Sequence, residues 1–212
     1  MTKWSRSDGE WSAAKRTIGV GGQDCDLSEI VICLRPLHAS GRIHGDIKPL
    51  NIMRDFRGRW MLIDLDASAR IGVESAGAKA SEAYCCPQIA RHALVAKKAD
   101  PAAVGPMAHP AMDVWGAGVV LYELLTGRQL FPRDARTDRI TTELGRRRLC
   151  MWLCASDDVL AHVADPAARH LVAWCLQGDP DDRPALKDIL AHPFMTAVTP
   201  SLSKPLTAET PS

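Results

Sequence analysis

The chain has 212 residues, of which 46% are hydrophobic and 24% charged, and its formal net charge is +1. This length fits one domain with a core of its own, and the near-neutral charge gives no reason to expect nucleic acid or an anionic membrane as a partner. No apolar run reaches the roughly 20 residues of a membrane helix. No secretory signal follows Met1, so an intracellular, cytoplasmic location with reduced cysteines is expected.

The first part of the chain, residues 1–26, is predicted to be a flexible leader. It is mostly polar, and its glycine-rich patch at 18–22 lacks the G-x-G-x-x-G spacing of a phosphate-binding loop. From Leu27 onward, apolar residues recur at helical spacing as far as His38, and Gly41 suits the end of a helix. A helix is therefore predicted here, although Pro36 inside it costs about 3 kcal/mol or bends it.

The stretch 43–53 reads I-H-G-D-I-K-P-L-N-I-M and places three polar side chains at short spacing: Asp46, Lys48 and Asn51. Short β-type runs at 52–54 and 60–63 are separated by five residues and predict a hairpin, and Asp64 follows its second strand. These four side chains would then meet at one end of the hairpin. Such a set suits a metal-bound phosphate, because hard cations prefer oxygen ligands.

Beyond the hairpin, the sequence predicts mostly helices. Residues 65–82 are predicted to form a long loop, 87–94 a short helix, and the Pro- and Gly-containing stretch 95–111 an insertion loop. Residues 112–126 are apolar nearly all round, which predicts a buried central helix, begun by Asp113 and ended by Gly127. Amphipathic helices are predicted at 137–153 and 168–176, another through Ala191, and a disordered tail at 196–212.

The polar set resembles the protein kinases, whose catalytic loop reads H-R-D-L-x-x-x-N and whose metal loop reads D-F-G. Downstream residues extend the resemblance: Pro87-Gln88 at the place of A-P-E, Asp113-Val114-Trp115 at the place of D-x-W-x-x-G, and Arg183 at the place of the arginine that pairs with the A-P-E glutamate. The match covers roughly residues 26–195. Lys48, two residues after Asp46, favours the eukaryotic-type serine/threonine kinases.

The resemblance implies a mainly α fold, the large C-terminal lobe of a kinase. This lobe would be a helical bundle around the buried central helix, with the small β-hairpin at the catalytic loop. Residues 27–195 would form this lobe as a truncated kinase domain. The N-terminal lobe is expected to be absent, because the first 26 residues are too few to build it and lack its glycine-rich loop and strand lysine.

The resemblance also implies a reaction, the transfer of the ATP γ-phosphoryl group to a protein hydroxyl. Asp46 would be the catalytic base, and Lys48 would steady the phosphoryl group and so bind ATP. Asn51 and Asp64 would hold Mg²⁺ and, through it, ATP. The expected partners are a protein substrate and a protein that covers the surface facing the missing lobe, with no nucleic acid and no membrane.

Departures from the family pattern leave a second hypothesis open. Gly45 replaces the arginine of H-R-D, Leu65 and Asp66 replace the Phe and Gly of D-F-G, and Gln88 replaces a glutamate. Loss of the arginine argues against activation by loop phosphorylation, and Gln88 predicts a looser hold on Arg183. The alternative function is a pseudokinase-like binding or scaffold module, or an inactive fragment that lacks the N-terminal lobe.

Overall fold

The computed structural model of the protein describes residues 18–20, 23–25, 27–96, 99–100 and 102–196. Within the predicted leader, β1 (Ile18–Val20) and β2 (Gln23–Cys25) pair as an antiparallel hairpin. The rest of that leader lies outside the described residues. So does the predicted disordered tail from residue 197 onward.

Helices are the main regular elements of the remaining chain. They are α1 (Leu27–Ala39), α2 (Pro87–Arg91), α3 (Ala111–Thr126), α4 (Glu143–Cys150), α5 (Asp157–Leu160), α6 (Pro166–Cys175), α7 (Leu186–Ala191) and α8 (Pro193–Thr196). Short 3₁₀ turns lie at Pro49–Asn51 and Leu65–Ala67, and a π-helical turn at His92–Ala96 follows α2.

The predicted buried central helix is confirmed as α3. Every residue from Ala111 to Tyr122 is buried, as its nearly continuous apolar sequence requires. Gly118 lets α6 pack closely, because a Cβ at this position would lie 2.7 Å from Cβ of Cys175. Gly127 ends the helix in the left-handed conformation, with φ of 66°, as predicted.

The helix predicted from Leu27 is also confirmed, as α1, with Pro36 inside it. The predicted helix at 137–153 is wrong at both ends, because α4 covers only Glu143–Cys150. Its start is set by Thr142, whose side chain accepts a hydrogen bond from the N–H of Gly145. Before it, Asp138 has φ of 53°, a left-handed conformation that cannot continue a right-handed helix.

Two small sheets position the polar residues of the stretch 43–53. Strand β4 (Ile52–Arg54) pairs with β5 (Trp60–Leu62) in the predicted hairpin, in the register Ile52↔Leu62. Strand β3 (Arg42–Ile43) pairs with β6 (Ala69–Arg70), a strand inside the segment that was predicted to be only a loop. The two pairings draw the segments around Asp46 and Asp64 together.

Candidate active site

Asp46 lies at the centre of a hydrogen-bond network and is only 8% exposed. Its Oδ1 accepts the backbone N–H of Ser81 at 2.8 Å, and its Oδ2 accepts Nδ2 of Asn51 at 3.1 Å. Nδ2 of Asn51 also donates to the Asp46 carbonyl at 2.8 Å. The carboxylate is therefore held in one orientation by two segments of chain, although it is close to the surface.

The ammonium group of Lys48 lies beside this carboxylate. Its Nζ is 3.3 Å from Oδ2 of Asp46, 2.8 Å from Oγ of Ser81 and 3.3 Å from Oδ2 of Asp138. Burial by itself would lower the pKa of Lys48, but the charges and hydrogen bonds of Asp46 and Asp138 raise that pKa above its ordinary value. The side chain therefore stays a cation at neutral pH.

Asn51 and Asp64 lie at the same end of the β4–β5 hairpin. Asn51 immediately precedes β4 and Asp64 follows β5 after Ile63, whose N–H donates to the Asn51 carbonyl at 3.0 Å. Nδ2 of Asn51 is directed at Asp46, and its Oδ1 accepts no hydrogen bond from the residues that the structure describes. The exposed carboxylate of Asp64 accepts no hydrogen bond from the part of the chain that the structure describes, and its backbone is left-handed with φ of 62°.

His44 connects Asp46 to the hairpin. Its Nδ1 accepts the backbone N–H of Asp46 at 3.3 Å, which leaves Nε2 to donate to the Ile63 carbonyl at 3.0 Å. The imidazole is fully buried. It thereby fixes the distance between the loop of Asp46 and the residue that precedes Asp64.

Asp113 anchors this loop to the central helix α3. Its Oδ2 accepts the N–H of His44 at 2.8 Å and lies 2.8 Å from Nε2 of His38, while its Oδ1 accepts the N–H of Gly45 at 2.8 Å. The side chain is 1% exposed. The sequence predicted Asp113 only as the start of a helix, and its second function as an anchor emerges from the fold.

Two of the unusual residues have partners of their own. Asp66 forms an ion pair with Lys79 at 3.1 Å in an exposed position. Oε1 of Gln88 accepts Nη2 of the buried Arg183 at 3.0 Å, and the same guanidinium donates to the carbonyls of Ala111, Gln177 and Gly178. Arg183 is thus held by neutral oxygens.

Sequence reasoning missed two residues of the site, Ser81 and Asp138. Both contact Lys48 and come from distant parts of the chain, 33 and 90 residues away. Ser81 lies in an Ala- and Ser-rich stretch without periodicity, and Asp138 was assigned to a helix. A contact across this separation leaves no spacing pattern in one sequence, so no local signal marked either residue.

Within the described ranges, no three or more His, Cys, Asp or Glu side chains lie together so that they could hold a metal ion. Asn51 and Asp64 alone offer too few oxygens for a closed metal site. They suit a cation that keeps other ligands, as Mg²⁺ does when it is bound by one or two protein oxygens and by phosphate. Over the same ranges, no helix has the length and apolar character needed to cross a membrane.

Comparison with known protein families gives a match over most of the chain. A family model described as protein kinase domain matches residues 25–195. This range includes the whole network around Asp46 and the anchor Asp113.

Individual proteins that the chain resembles are also protein kinases. The chain is 32% identical over 168 residues to the serine/threonine-protein kinase GIN4 of Saccharomyces cerevisiae, a match that covers 79% of this chain and 13% of that protein. It is 30% identical over 176 residues to the serine/threonine-protein kinase MRCK gamma of Mus musculus, covering 81% of this chain and 11% of that protein. The mitogen-activated protein kinase pmk-1 of Caenorhabditis elegans is 25% identical over 202 residues, with 85% of this chain and 50% of that protein covered. The chain therefore spans half or less of the length of these relatives.

Proposed function

Because the chain belongs to the protein kinase family, with serine/threonine kinases among its relatives, we propose that it transfers the γ-phosphoryl group of ATP to a serine or threonine hydroxyl of a protein. The observation that carries this proposal is the shared network of Asp46, Lys48 and Asn51 around one oriented carboxylate. Phosphoryl transfer needs mainly positioning and charge compensation, which such a network supplies.

Asp46 is the proposed catalytic base. Hydrogen bonds from Ser81 and Asn51 orient its carboxylate, and the contact with Lys48 adds a positive charge at Oδ2. A substrate hydroxyl that hydrogen-bonds to this carboxylate would give up its proton to it as the phosphoryl group arrives. The pre-set orientation matters because it removes the cost of arranging the base during the reaction.

Lys48 is proposed to bind the phosphoryl group. Its ammonium stays charged at neutral pH and lies 3.3 Å from the carboxylate of the base. A phosphoryl oxygen near Asp46 would therefore also be near this cation. Lys48 would offset the negative charge that would otherwise repel the group from Asp46.

Asn51 and Asp64 are the proposed ligands of Mg²⁺. Both offer oxygen atoms at one end of the hairpin. Oδ1 of Asn51 and the carboxylate of Asp64 have no partner among the described residues, and such oxygens fit a hard cation. When bound, Mg²⁺ would neutralise phosphate charge and hold ATP at this end of the hairpin. Asp66 is not included, because its carboxylate pairs with Lys79.

We further propose that residues 27–195 form a kinase large lobe, flanked by a leader at 1–26 and a tail at 196–212, with 95–111 as an insertion. The family match over 25–195 supports the extent of the proposed domain. Apolar side chains are exposed beside the proposed metal ligands: Leu50 at 68%, Met53 at 48% and Leu65 at 52%. An exposed apolar surface here supports a protein partner or a second lobe that covers it.

The same exposed surface favours the alternative function, a pseudokinase-like binding module or a fragment that is inactive without a second lobe. A binding module would use Leu50, Met53 and Leu65 as a contact surface and would not need the carboxylate of Asp46. A substitution that removes the charge of Asp46 should therefore abolish phosphoryl transfer by a kinase and leave the binding activity of a binding module unchanged.

The test is the transfer of labelled γ-phosphate from Mg·ATP to a generic serine/threonine peptide, by the wild type and by Asp46→Asn. Loss of the base is expected to lower the rate by about 10²–10⁴-fold. Asp158→Asn, a substitution on the exposed surface of α5, is the matched control and should keep the wild-type rate. Equal rates in the wild type and Asp46→Asn, or no transfer by either protein, would refute the proposed reaction and leave the binding module.

A further inference from the structure

Lys48 already has three oxygen partners around its ammonium group. Nζ donates hydrogen bonds to Oγ of Ser81 at 2.8 Å and to Oδ2 of Asp138 at 3.3 Å, and it forms an ion pair with Oδ2 of Asp46 at 3.3 Å. A phosphoryl oxygen that binds this cation has to compete with these partners. The proposed function of Lys48 therefore favours an exchange of partners.

Asp138 differs from the other two partners in its place in the fold. Ser81 and Asp46 are bound to each other through the Ser81 N–H at 2.8 Å, so they form one unit with the catalytic loop. Asp138 comes from a separate segment, the loop 133–140, which lies between α3 and α4. It contributes a second carboxylate close to the base, and this negative charge would repel an approaching phosphoryl group.

The loop 133–140 is built to hold Asp138 in this place. Its two ends form a β-bridge between Arg133 and Ile140, and Asp138 has a left-handed backbone with φ of 53°. The carbonyl of Asp138 accepts the N–H of Ala83 at 3.1 Å, and Glu82 accepts the N–H of Ile140 at 2.9 Å. The loop is therefore attached to the segment that also carries Ser81.

Arg133 ties the other side of the loop to the central helix. Its guanidinium forms an ion pair with Glu123 of α3, and its Nε lies 3.5 Å from Oδ1 of Asp138. These side chains are all about 90% buried, with exposures of 11% for Arg133, 10% for Glu123 and 14% for Asp138. Asp138 thus lies between two cations, Arg133 and Lys48. Its ion pair with Arg133 can remain when its contact with Lys48 is broken.

We propose that Asp138 is a positioning residue that holds one N–H of Lys48 next to Asp46 and gives up that N–H to an incoming phosphoryl oxygen. The inference rests on the proposed function of Lys48 as the phosphoryl-binding cation. Asp138 thereby keeps the ammonium in place before ATP binds and competes with the phosphoryl group for it afterwards. When the phosphoryl oxygen replaces Asp138 at Lys48, the carboxylate of Asp138 remains paired with Arg133.

The test compares the reactivity of the Lys48 amine in the wild type and in Asp138→Asn, in the full chain. Acylation by an amine-reactive ester is followed by mass spectrometry of the peptide that contains Lys48, without nucleotide and with increasing Mg·ATP. Asparagine tolerates the left-handed backbone of position 138 and keeps a neutral oxygen, so the loop should retain its conformation. Asp138→Gly, which also allows this backbone, is the second variant.

Without nucleotide, we expect Lys48 to be acylated several-fold faster in both variants than in the wild type, because the amine loses a carboxylate partner. We expect Mg·ATP to protect Lys48 from acylation at a several-fold lower concentration in Asp138→Asn than in the wild type, because the negative charge of Asp138 no longer competes with the phosphate. Asp134→Asn is the matched control on the same loop. Its carboxylate accepts hydrogen bonds from Arg136 and Thr137 and does not contact Lys48, so wild-type behaviour is expected.

Equal acylation of the wild type and Asp138→Asn would overturn the inference, because Asp138 would then not hold the amine. Faster acylation with an unchanged or higher protecting concentration would also overturn it, because Asp138 would not compete with phosphate, while the proposed kinase function would stand. If Mg·ATP protects Lys48 in none of these proteins, the exchange is refuted together with the nucleotide-binding part of the proposed function.

Discussion

The backbone N–H of Gly45 donates to Oδ1 of Asp113 at 2.8 Å, across 68 residues of sequence. Oδ2 of the same carboxylate accepts the N–H of His44, so one buried side chain of α3 holds two successive peptide groups of the loop that carries Asp46. The orientation of the candidate base therefore depends on the central helix.

Asp113→Asn is expected to destabilise the protein. An amide offers one oxygen where the carboxylate offers two, so one buried N–H loses its acceptor, at a cost of about 1–3 kcal/mol in the free energy of unfolding. Urea unfolding of both proteins measures this difference. A change below about 0.5 kcal/mol, the usual size for a surface substitution, would show that Asp113 does not anchor the loop.

Gly45→Ala is expected to cost more than Gly41→Ala, although both glycines have nearly the same backbone, with φ of 81° and 78°. A Cβ at position 45 would lie 2.3 Å from the Ala67 carbonyl oxygen, whereas at position 41 it would meet no atom within 4 Å. In both variants, an alanine in the left-handed conformation costs about 1–2 kcal/mol of stability. Only Gly45→Ala adds a steric clash, with the Ala67 carbonyl oxygen.

Thermal unfolding of the two alanine variants isolates that clash. Equal losses of stability would mean that the loop can move away from Ala67. The comparison also bears on Gly45 as a departure from the family pattern. If the larger loss is found, an arginine at position 45 would not be accommodated by this backbone.

The stability of the protein is expected to fall below about pH 6.5 through His192. Burial, and secondarily the nearby His170, lower the pKa of His192 from its ordinary value of 6.5. As the pH falls, the unfolded chain takes up a proton at this residue before the folded chain does, so the unfolded state is favoured. Above the ordinary pKa both states are neutral and the contribution is complete.

His192→Asn should therefore reduce the difference between the unfolding free energies at about pH 7.5 and about pH 5.5. Asparagine can still accept the N–H of Phe194, which Nδ1 of His192 accepts at 3.1 Å. The same pH dependence in the wild type and in His192→Asn would contradict this assignment.

Much of the fold followed from local pattern in the sequence. The apolar run of α3, the helical spacing of α1 and the two β-runs around 55–59 each predicted the element that the structure contains. The short spacing of Asp46, Lys48 and Asn51 marked the loop for the same reason, because those residues are neighbours in sequence. Local rules decide such features.

The contacts between distant segments could not be predicted in this way. Ser81 and Asp138 reach Lys48 only because the segments 81–84 and 133–140 fold onto each other, and Asp113 reaches Gly45 only because α3 is central. The helix predicted over 137–142 is wrong for a similar reason. Tertiary bonds to Glu82 and Ala83 hold that segment as a turn, against its helical spacing.

The central claim, that the end of the β4–β5 hairpin binds metal and phosphate for transfer, is tested most directly by a matched pair of substitutions. Asp64 and Asp66 are two residues apart, but only Asp66 has an ion-pair partner, Lys79, among the described residues. The measurement is the initial rate of γ-phosphate transfer from Mg·ATP for the wild type, Asp64→Asn and Asp66→Asn. We predict a fall of about 10²-fold or more for Asp64→Asn, as for loss of a group that stabilises transition-state charge, and a rate near that of the wild type for Asp66→Asn. Equal effects of the two substitutions, or a wild type without transfer, would contradict the account.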